Sequence, residues 1–407
     1  MRGAARRGGL SCYSARMFAK KRVYLDWAAA APAAPEAARA HTRALAAYGN
    51  PSSAHAEGRA ARELLEQARA AIARGMMMKP DDIVFTSGAT ESNNIAIQGV
   101  LAAALRARPG ARPHMLYLPS AHASVVETMR AAESVADIES LPIKDGRVDV
   151  AALKEALRPE TILVSMDFVC GETGTIWNAR EVRHALDAAR AAGESRILLH
   201  VDASQAPWTE LPERTRLAGD LITLDAQKIG GVRGAGILAA PRAVALDAIA
   251  HGGGQERGVR PGTPAVAHAA AFAAALAAAG AGREAFAKRA RSARAKLVSG
   301  IRAVAPDMLV NEGADGVPHI LNISLPGRDT DYLVALLDEA GFAVSTKSAC
   351  ESDSQDGSRA VLALTGDPAR AKSTLRISWG PQTSPRDLAG FAAALACGMQ
   401  VLDSNNA

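Results

Sequence analysis

Cysteine is scarce in this chain of 407 residues, and its four cysteines, Cys12, Cys170, Cys350 and Cys397, lie far apart. None of them belongs to a CxxC pair or a Cys/His cluster, which argues against a structural zinc site and a disulfide scaffold and fits a reducing compartment. Charge-free apolar stretches of about 18 residues are also lacking, so we expect no membrane span. No internal repeat with a period of roughly 20–50 residues is visible.

Acidic residues are lacking from residues 1–22, which carry seven Lys and Arg. Without these seven, the chain keeps 40 of its 47 basic residues against 42 acidic ones, so the overall charge of +5 becomes −2. A general polyanion-binding surface is therefore not expected. The Arg-rich head is typical of a mitochondrial transit peptide, but a disordered tail or a translation start ahead of Met17 explains it as well. We expect a cytoplasmic protein, or a mitochondrial one if the head is a transit peptide.

Short apolar runs alternate with helix-like segments through much of the chain. The runs predicted as strands are Ile83–Thr86, His114–Leu118, Thr161–Phe168, Ile197–Val201, Leu221–Leu224 and Gly236–Ala240. This βαβ rhythm predicts a mainly parallel sheet with helices on both faces. After about Pro264 the pattern changes to two Ala-rich helices, over about Ala265–Ala279 and Arg283–Ala303, followed by a smaller α+β unit.

Three polar segments follow predicted strand ends. Thr86–Glu91 places a glycine and hydroxyls before a helix, which favours phosphate binding through backbone N–H groups, although Thr90 as a helix cap explains it as well. Asp202 is expected at the sheet edge where ligands bind in open α/β folds, with helix capping as the alternative. Lys228 precedes two glycines; a partly desolvated lysine has a lowered pKa and can form a Schiff base, whereas an ordinary edge lysine is the plainer interpretation.

Two further segments are candidate functional loops. Residues 252–262 hold five glycines together with Arg257 and Arg260, which suits either an anion-binding loop or an interdomain linker. Cys350 follows a predicted strand and opens a polar stretch. Because cysteine is usually buried, a cysteine at the start of a polar loop is a candidate nucleophile, and a chance exposed cysteine is the alternative.

The order and spacing of these segments resemble the cysteine desulfurases, class V of the fold-type I pyridoxal phosphate (PLP) enzymes. The resemblance rests on Tyr48–His55, Thr86–Asn94, His122, Asp202 with Gln205, Lys228, the loop 252–263, Ser348–Cys350 and Arg376–Gly380. It implies an α/β fold, with a large PLP-binding domain (23–262) built on a mainly parallel seven-stranded sheet between helices. A smaller α+β C-terminal domain (263–407) would carry the cysteine loop. Residues 1–22 would be a basic, disordered head, and packing of the next ~20 residues on the small domain is left open.

The resemblance implies how the cofactor PLP would be held. Lys228 would be the Schiff-base lysine and would shuttle the substrate α-proton, while Asp202 would pair with the ring nitrogen. Gln205 would hydrogen-bond the phenolic oxygen of the ring. His122 would stack on the ring and assist proton transfer.

The resemblance also implies phosphate and substrate contacts. Ala89 and Thr90 would bind the phosphate, and Thr263 would reach the phosphate of the neighbouring subunit, which implies a homodimer. Arg376 would clamp the substrate carboxylate by paired hydrogen bonds, with Asn50 lining the same pocket. In the implied reaction, the Cys350 thiolate would take the sulfur of L-cysteine as a persulfide while alanine leaves. A swinging loop would then deliver the sulfur to an iron–sulfur scaffold or a tRNA-thiolation protein.

The chain departs from the family pattern at three places. Cys170 and Gly171 stand where the family usually has two asparagines, one of which contacts the cofactor or substrate. Asp225 and Gln227 stand where the family usually has the phosphate-binding serine and histidine. Gln227 can still donate a hydrogen bond to the cofactor, but Asp225 would repel a phosphate dianion if it pointed inward. Lys347 replaces a small glycine. Its positive charge either lowers the pKa of Cys350 or replaces lost phosphate contacts.

Three functions are therefore considered. The first is an active cysteine desulfurase that supplies persulfide sulfur. The second is a selenocysteine lyase or another class V lyase or aminotransferase, because a fold does not fix the substrate. The third is a weakened homologue with a binding or regulatory role. The presence of Lys228, Asp202 and Cys350 argues against the third.

Overall fold

The computed structural model describes residues 21–191, 196–346 and 357–405. The strands are β1 (Val23–Tyr24), β2 (Ile83–Thr86), β3 (His114–Tyr117), β4 (Asp137–Ser140), β5 (Ile143–Lys144), β6 (Arg147–Val148), β7 (Thr161–Asp167), β8 (Leu198–Asp202), β9 (Leu221–Asp225), β10 (Gly236–Ala239), β11 (Leu309–Val310), β12 (Ile320–Ser324), β13 (Phe342–Ala343) and β14 (Thr374–Ser378). The helices are α1 (Pro35–Ala44), α2 (Ala56–Gly75), α3 (Ala89–Ala107), α4 (Ala123–Ala131), α5 (Val150–Ala156), α6 (Ala179–Ala191), α7 (Arg214–Leu217), α8 (Val266–Val304), α9 (Thr330–Glu339), α10 (Arg359–Thr365), α11 (Pro368–Lys372) and α12 (Pro385–Asn405). Short 3-10 helices lie at Pro80–Asp82, Ala226–Ile229 and Gln255–Gly258.

Seven strands form the central sheet, in the order β2-β10-β9-β8-β7-β3-β4. Neighbouring strands are parallel except at β10, which runs antiparallel to both β2 and β9. Strands β7, β8 and β9 are rich in buried Leu, Ile and Val, as expected for strands covered on both faces. The prediction of a mainly parallel seven-stranded sheet is confirmed.

A second, smaller core surrounds the antiparallel sheet β11-β12-β14 and includes α9, α12 and the end of α8. The start of the described chain belongs to this core, because β1 pairs with β13 and Val23 and Leu25 are buried there. Lys21 extends the attachment through an ion pair of 2.7 Å between its Nζ and Asp387. The start of the described chain, from Lys21 to Leu25, therefore packs on the smaller unit.

Helix α8 joins the two cores and corrects the prediction of two Ala-rich helices. It runs without a break for 39 residues through Gly280 and Gly282, because its packing in both cores outweighs the low helix propensity of these glycines. Phe272 packs in the large core and Phe286 in the small one. By length and composition alone this helix could cross a membrane. It packs against α1, α2 and α12, as a core helix of a globular protein does, and the lack of a membrane span stays a prediction.

The six predicted strands agree with β2, β3, β7, β8, β9 and β10 within one residue at either end. Helices α1 and α2 and the edge strand β4 were not predicted from the sequence. The division of the chain at residue 262 stays a prediction, since α8 contributes to both cores.

Candidate active site

Three neighbouring parallel strands each end in an aspartate: β7 in Asp167, β8 in Asp202 and β9 in Asp225. Their carboxylates therefore meet at the carboxyl edge of the sheet, where ligands bind in open α/β folds. A cavity of about 210 Å³ opens at this edge. The predicted site residues that line it are Ala89, Thr90, His122, Asp202, Gln205, Gln227, Lys228 and Arg376.

Asp202 is buried and accepts three hydrogen bonds, two from side chains and one from the backbone. Its Oδ2 accepts from Asn93 Nδ2 at 2.8 Å, and its Oδ1 accepts from the backbone N and Oγ of Ser204 at 3.0 and 2.6 Å. Asn93 Nδ2 also donates to Ser124 Oγ at 2.9 Å, and that hydroxyl lies 2.8 Å from Nδ1 of His122. Hydrogen bonds to the charged form favour ionisation of a buried carboxyl group. The network therefore links the predicted ring-stacking imidazole to the predicted ring-nitrogen partner.

Lys228 lies in the 3-10 helix that follows β9, and its amine points into the cavity. Its Nζ donates to the backbone carbonyls of Ala28 and Ala29 at 3.0 and 2.8 Å. Gln205 Nε2 donates to the same Ala28 carbonyl at 2.8 Å. Trp208 Nε1 fixes the backbone from behind by donating to the Lys228 carbonyl at 2.8 Å. A primary amine positioned in this way is able to form a covalent bond with a carbonyl group.

Asp225 points inward, which settles the conformation that the sequence left open. Its Oδ2 accepts from Ala89 N at 3.0 Å, at the first residue of α3, and its Oδ1 accepts from Gln227 N at 3.0 Å. Burial raises the pKa of Asp225, ahead of the opposing effect of these two hydrogen bonds. Gln227 directs its side-chain amide toward Asp225 Oδ2 at 3.4 Å. The helix begins after Gly88 and not at Thr90, so the interpretation of Thr90 as the cap was wrong.

Arg376 reaches the cavity from β14 of the smaller unit and is almost fully buried. Its Nη2 donates to Asp26 Oδ1 at 2.7 Å and its Nη1 to the carbonyl of Gly171 at 3.1 Å. The buried Nε has no hydrogen-bond partner among the described residues. A buried guanidinium with an unsatisfied donor is suited to bind a carboxylate.

Asp167 lines the cavity, although it was not predicted as a site residue from the sequence. It is buried, and its Oδ1 has no hydrogen-bond partner in the described part of the chain. Burial raises the pKa of Asp167 to about 8, and the neighbouring charge of Asp202 adds to the shift. The predicted strand continued to Phe168, which placed Asp167 inside a strand. The sequence signal that could have identified Asp167 is that three apolar runs each end at or next to an aspartate.

Cys170 and Glu172 follow β7 into the cavity. Burial raises the pKa of the Cys170 thiol to about 12, so the neutral and weakly nucleophilic form prevails. Glu172 accepts a hydrogen bond of 2.6 Å from Ser358 Oγ, at the start of α10. This buried contact joins the loop after β7 to the smaller unit beside the cavity.

Some predicted site residues lie elsewhere. Asn50 is exposed and outside the cavity lining; its Oδ1 accepts from Ser52 N at 2.9 Å. Thr263 is also exposed and outside the lining, and the single chain does not test its predicted contact with a neighbouring subunit. Cys350 and Lys347 lie outside the described residues. The roles of these four residues stay predictions.

Comparison with known proteins agrees with this arrangement. The family model described as Aminotransferase class-V matches residues 23–391. The IscS-like cysteine desulfurase of Mycobacterium tuberculosis is 34% identical over 378 residues, covering 90% of this chain and 93% of that protein. The cysteine desulfurase IscS of Methylobacillus flagellatus is 32% identical over 372 residues, covering 90% and 89% of the two chains.

Solved structures give the same result. A NifS-like protein superposes with a TM-score of 0.85 at 27% identity, covering 94% of this chain and all of that one. DndA from Streptomyces lividans superposes with a TM-score of 0.72 at 31% identity, covering 86% and 97% of the two chains. The chain belongs to the class V aminotransferase family.

Proposed function

We propose that this protein is a cysteine desulfurase, which removes sulfur from L-cysteine and leaves alanine. The named relatives support this assignment across about nine tenths of the chain. The observation that carries it is the meeting of Lys228, Asp202 and Arg376 in one cavity between the two cores. An amine, a buried carboxylate and a buried guanidinium supply the groups that an amino-acid substrate and a carbonyl cofactor require.

Enzymes of this family depend on PLP, and the described residues fit that cofactor. Asp202 is a hydrogen-bonded carboxylate for the ring nitrogen, and Lys228 is the amine for the carbonyl carbon. His122 and Gln205 line the cavity between them, and the N-terminus of α3 at Ala89 suits the phosphate. When bound, PLP supplies an electron sink for charge that develops at the substrate α-carbon. The exception to the fit is Asp225, which already accepts a hydrogen bond from α3.

The chain's own residues have separate tasks in this proposal. Lys228 Nζ accepts the substrate α-proton, and the carbonyls of Ala28 and Ala29 orient it. Arg376 binds the substrate carboxylate, for which its Nη2 exchanges the contact with Asp26. The nucleophile for the substrate sulfur is Cys350, while buried Cys170 stays protonated.

We propose L-cysteine as substrate and a homodimer as the working form, with Thr263 beside the partner's phosphate site. We propose that the sulfur acceptor is an iron–sulfur scaffold or a tRNA-thiolation protein. We also propose that the protein acts in the cytoplasm, or in mitochondria if its basic head is a transit peptide. A pull-down with each acceptor class tests the partner.

Release of alanine from L-cysteine, with mass mapping of the persulfide, tests the activity itself. The parent protein should release alanine and carry extra sulfur on Cys350, whereas Cys350→Ser should lose the persulfide and the sulfur transfer. Selenocysteine serves as the comparison substrate. Alanine release by Cys350→Ser at the parent's rate would remove this cysteine from the mechanism. A protein that gains no visible absorbance with added PLP would refute the proposed function.

A further inference from the structure

The N-terminus of α3 holds a carboxylate that belongs to the chain itself. The first helical backbone N–H, at Ala89, donates to Asp225 Oδ2 at 3.0 Å. Gly88 precedes it with a φ of +151°, and a Cβ built at Gly88 would lie 3.4 Å from the same oxygen. A helix N-terminus attracts anions through its unsatisfied N–H groups and the helix dipole. In this chain, Asp225 is an anion already present at that position.

The backbone around Asp225 fixes its carboxylate there. Asp225 is the last residue of β9, and on β10 it pairs with Gly236. Its Oδ1 caps the following 3-10 helix by accepting from Gln227 N at 3.0 Å. Because both carboxylate oxygens accept from backbone N–H groups of ordered elements, the side chain cannot rotate away without losing two hydrogen bonds.

The surroundings do not neutralise this carboxylate fully. Lys228 faces it from the 3-10 helix, but Asp202 faces it from β8. Glu91 on α3 is paired with Arg260 at 3.0 Å and brings no net charge. His200 on β8 is buried and neutral, and burial lowers its pKa to about 4. Strands β2 and β10 contribute no titratable side chain, since they read IVFT and GILA.

We propose that Asp225 competes with the phosphate group of PLP for the N-terminus of α3, and thereby sets how tightly and at what pH this protein holds the phosphorylated cofactor. The inference rests on the proposed function, because it takes PLP as the ligand. A phosphate dianion and a carboxylate that share one N–H donor repel each other strongly in a buried site. The repulsion is relieved when Asp225 takes up a proton from solvent.

Protonation of Asp225 is within reach, because burial already raises its pKa. The neutral carboxylic acid would keep one oxygen as acceptor for Gln227 N and would offer an O–H donor to a phosphate oxygen. Binding of PLP therefore takes up a proton at Asp225, whereas binding of pyridoxal, which lacks the phosphate, does not. Affinity for PLP relative to pyridoxal is expected to rise as the pH falls.

The test compares PLP with pyridoxal on the full-length protein freed of cofactor. Dissociation constants are measured from the visible absorbance of the bound ligand for the parent, Asp225→Ser and Asp225→Asn. The matched control is Asp167→Asn, which removes from the same cavity the carboxylate at the end of β7, a strand that does not neighbour β9. Pyridoxal binding reports whether each variant keeps an intact site, and Asp225→Asn preserves the size of the side chain.

At about pH 8.5 we expect both Asp225 variants to raise the PLP-to-pyridoxal affinity ratio by about tenfold or more, while Asp167→Asn stays within about twofold. At about pH 6.5 the difference between the parent and Asp225→Ser should shrink, because the parent carboxyl group is then protonated more often. The phosphate group of PLP also changes its protonation between these pH values. That change affects the parent and the variant equally, so it cancels when the two are compared.

Three results would overturn the inference. If the ratio is unchanged or lower in both Asp225 variants while pyridoxal still binds, the proposed function stands and the competition does not exist. If the parent protein binds neither PLP nor pyridoxal at either pH, the proposed function fails and the inference fails with it. A difference between the parent and Asp225→Ser that grows toward low pH would also contradict protonation of Asp225.

Discussion

The two ends of the active-site cavity each hold a buried aspartate, but the hydrogen-bond donors around the two carboxylates differ. At the ring end, where the PLP ring is proposed to lie, Asp202 accepts from the side chains of Asn93 and Ser204 and from the Ser204 backbone N–H. At the phosphate end, where the PLP phosphate is proposed to bind, Asp225 accepts from Gln227 N and from Ala89 N, the helix N-terminal donor that the phosphate would need. Both residues are buried at the end of a parallel strand. Under the proposed function, the donors around each carboxylate, rather than its position in the fold, decide whether it assists the cofactor or competes with it.

Replacing the amine at the ring end should have the largest effect. We expect Lys228→Ala to lose the visible absorbance of bound PLP and to reduce alanine release by about a thousandfold or more, because no other group at this position can bond to the cofactor. Lys228→Arg is the matched control, since it keeps the positive charge and should be equally inactive. Turnover of cysteine by either variant at a tenth of the parent rate would show that the ring end has been assigned incorrectly.

Neutralising the ring-nitrogen partner should have the next largest effect. Asp202→Asn keeps the size of the side chain and can still accept from Ser204, so PLP should still bind. Alanine release at saturating cysteine should fall by about a hundredfold, as is usual when one electrostatic contact to a developing charge is removed. Retention of more than a third of the parent rate would mean that the carboxylate charge at this end is not needed.

A third carboxylate, Asp167, ends β7, on the other side of β8 from Asp225, and its Oδ1 lacks a donor among the described residues. It therefore tests the effect of a missing donor. Its pKa is raised to about 8, so the folded protein binds this proton more tightly than the unfolded chain. The resulting stabilisation is complete below about pH 4 and is lost as the pH rises through about 8, and its size is about 2 kcal/mol or more.

The measurement is urea unfolding, without added cofactor, of the parent and Asp167→Asn between these pH values. The parent should lose stability relative to the variant as the pH rises. A difference in unfolding free energy that does not change with pH would mean that Asp167 does not take up a proton in this pH range.

Sequence patterns predicted the sheet well because its strands are short apolar runs with polar ends. They predicted Asp202 and Lys228 from the same signal, a functional side chain directly after a strand. They missed α2, although buried Ala61, Leu65, Ala68 and Ile72 follow the spacing of one helix face.

Other features could not be read from local sequence. The single helix α8 depends on its packing against both cores, which outweighs the cost of Gly280 and Gly282. The inward orientation of Asp225 depends on Ala89, which lies 136 positions away in the chain. The raised pKa of Asp167 depends on its burial and on the neighbouring charge of Asp202. Such properties arise from tertiary contacts.

Asn93 provides the test with the smallest expected effect, because it acts on the ring end through its hydrogen bonds to Asp202 and Ser124. Its Nδ2 bridges Asp202 and Ser124, and Ser124 contacts His122. Asn93→Ala removes one charge-assisted hydrogen bond to Asp202, so alanine release at saturating cysteine should fall by about tenfold. The neighbouring Asn94, whose amide donates to the Thr90 carbonyl, gives the control variant Asn94→Ala, which should have little effect on the rate. If both variants slow the enzyme equally, Asn93 supports the helix and its contact with Asp202 is not needed. If only Asn93→Ala slows the enzyme, the carboxylate at the ring end depends on the Asn93 amide.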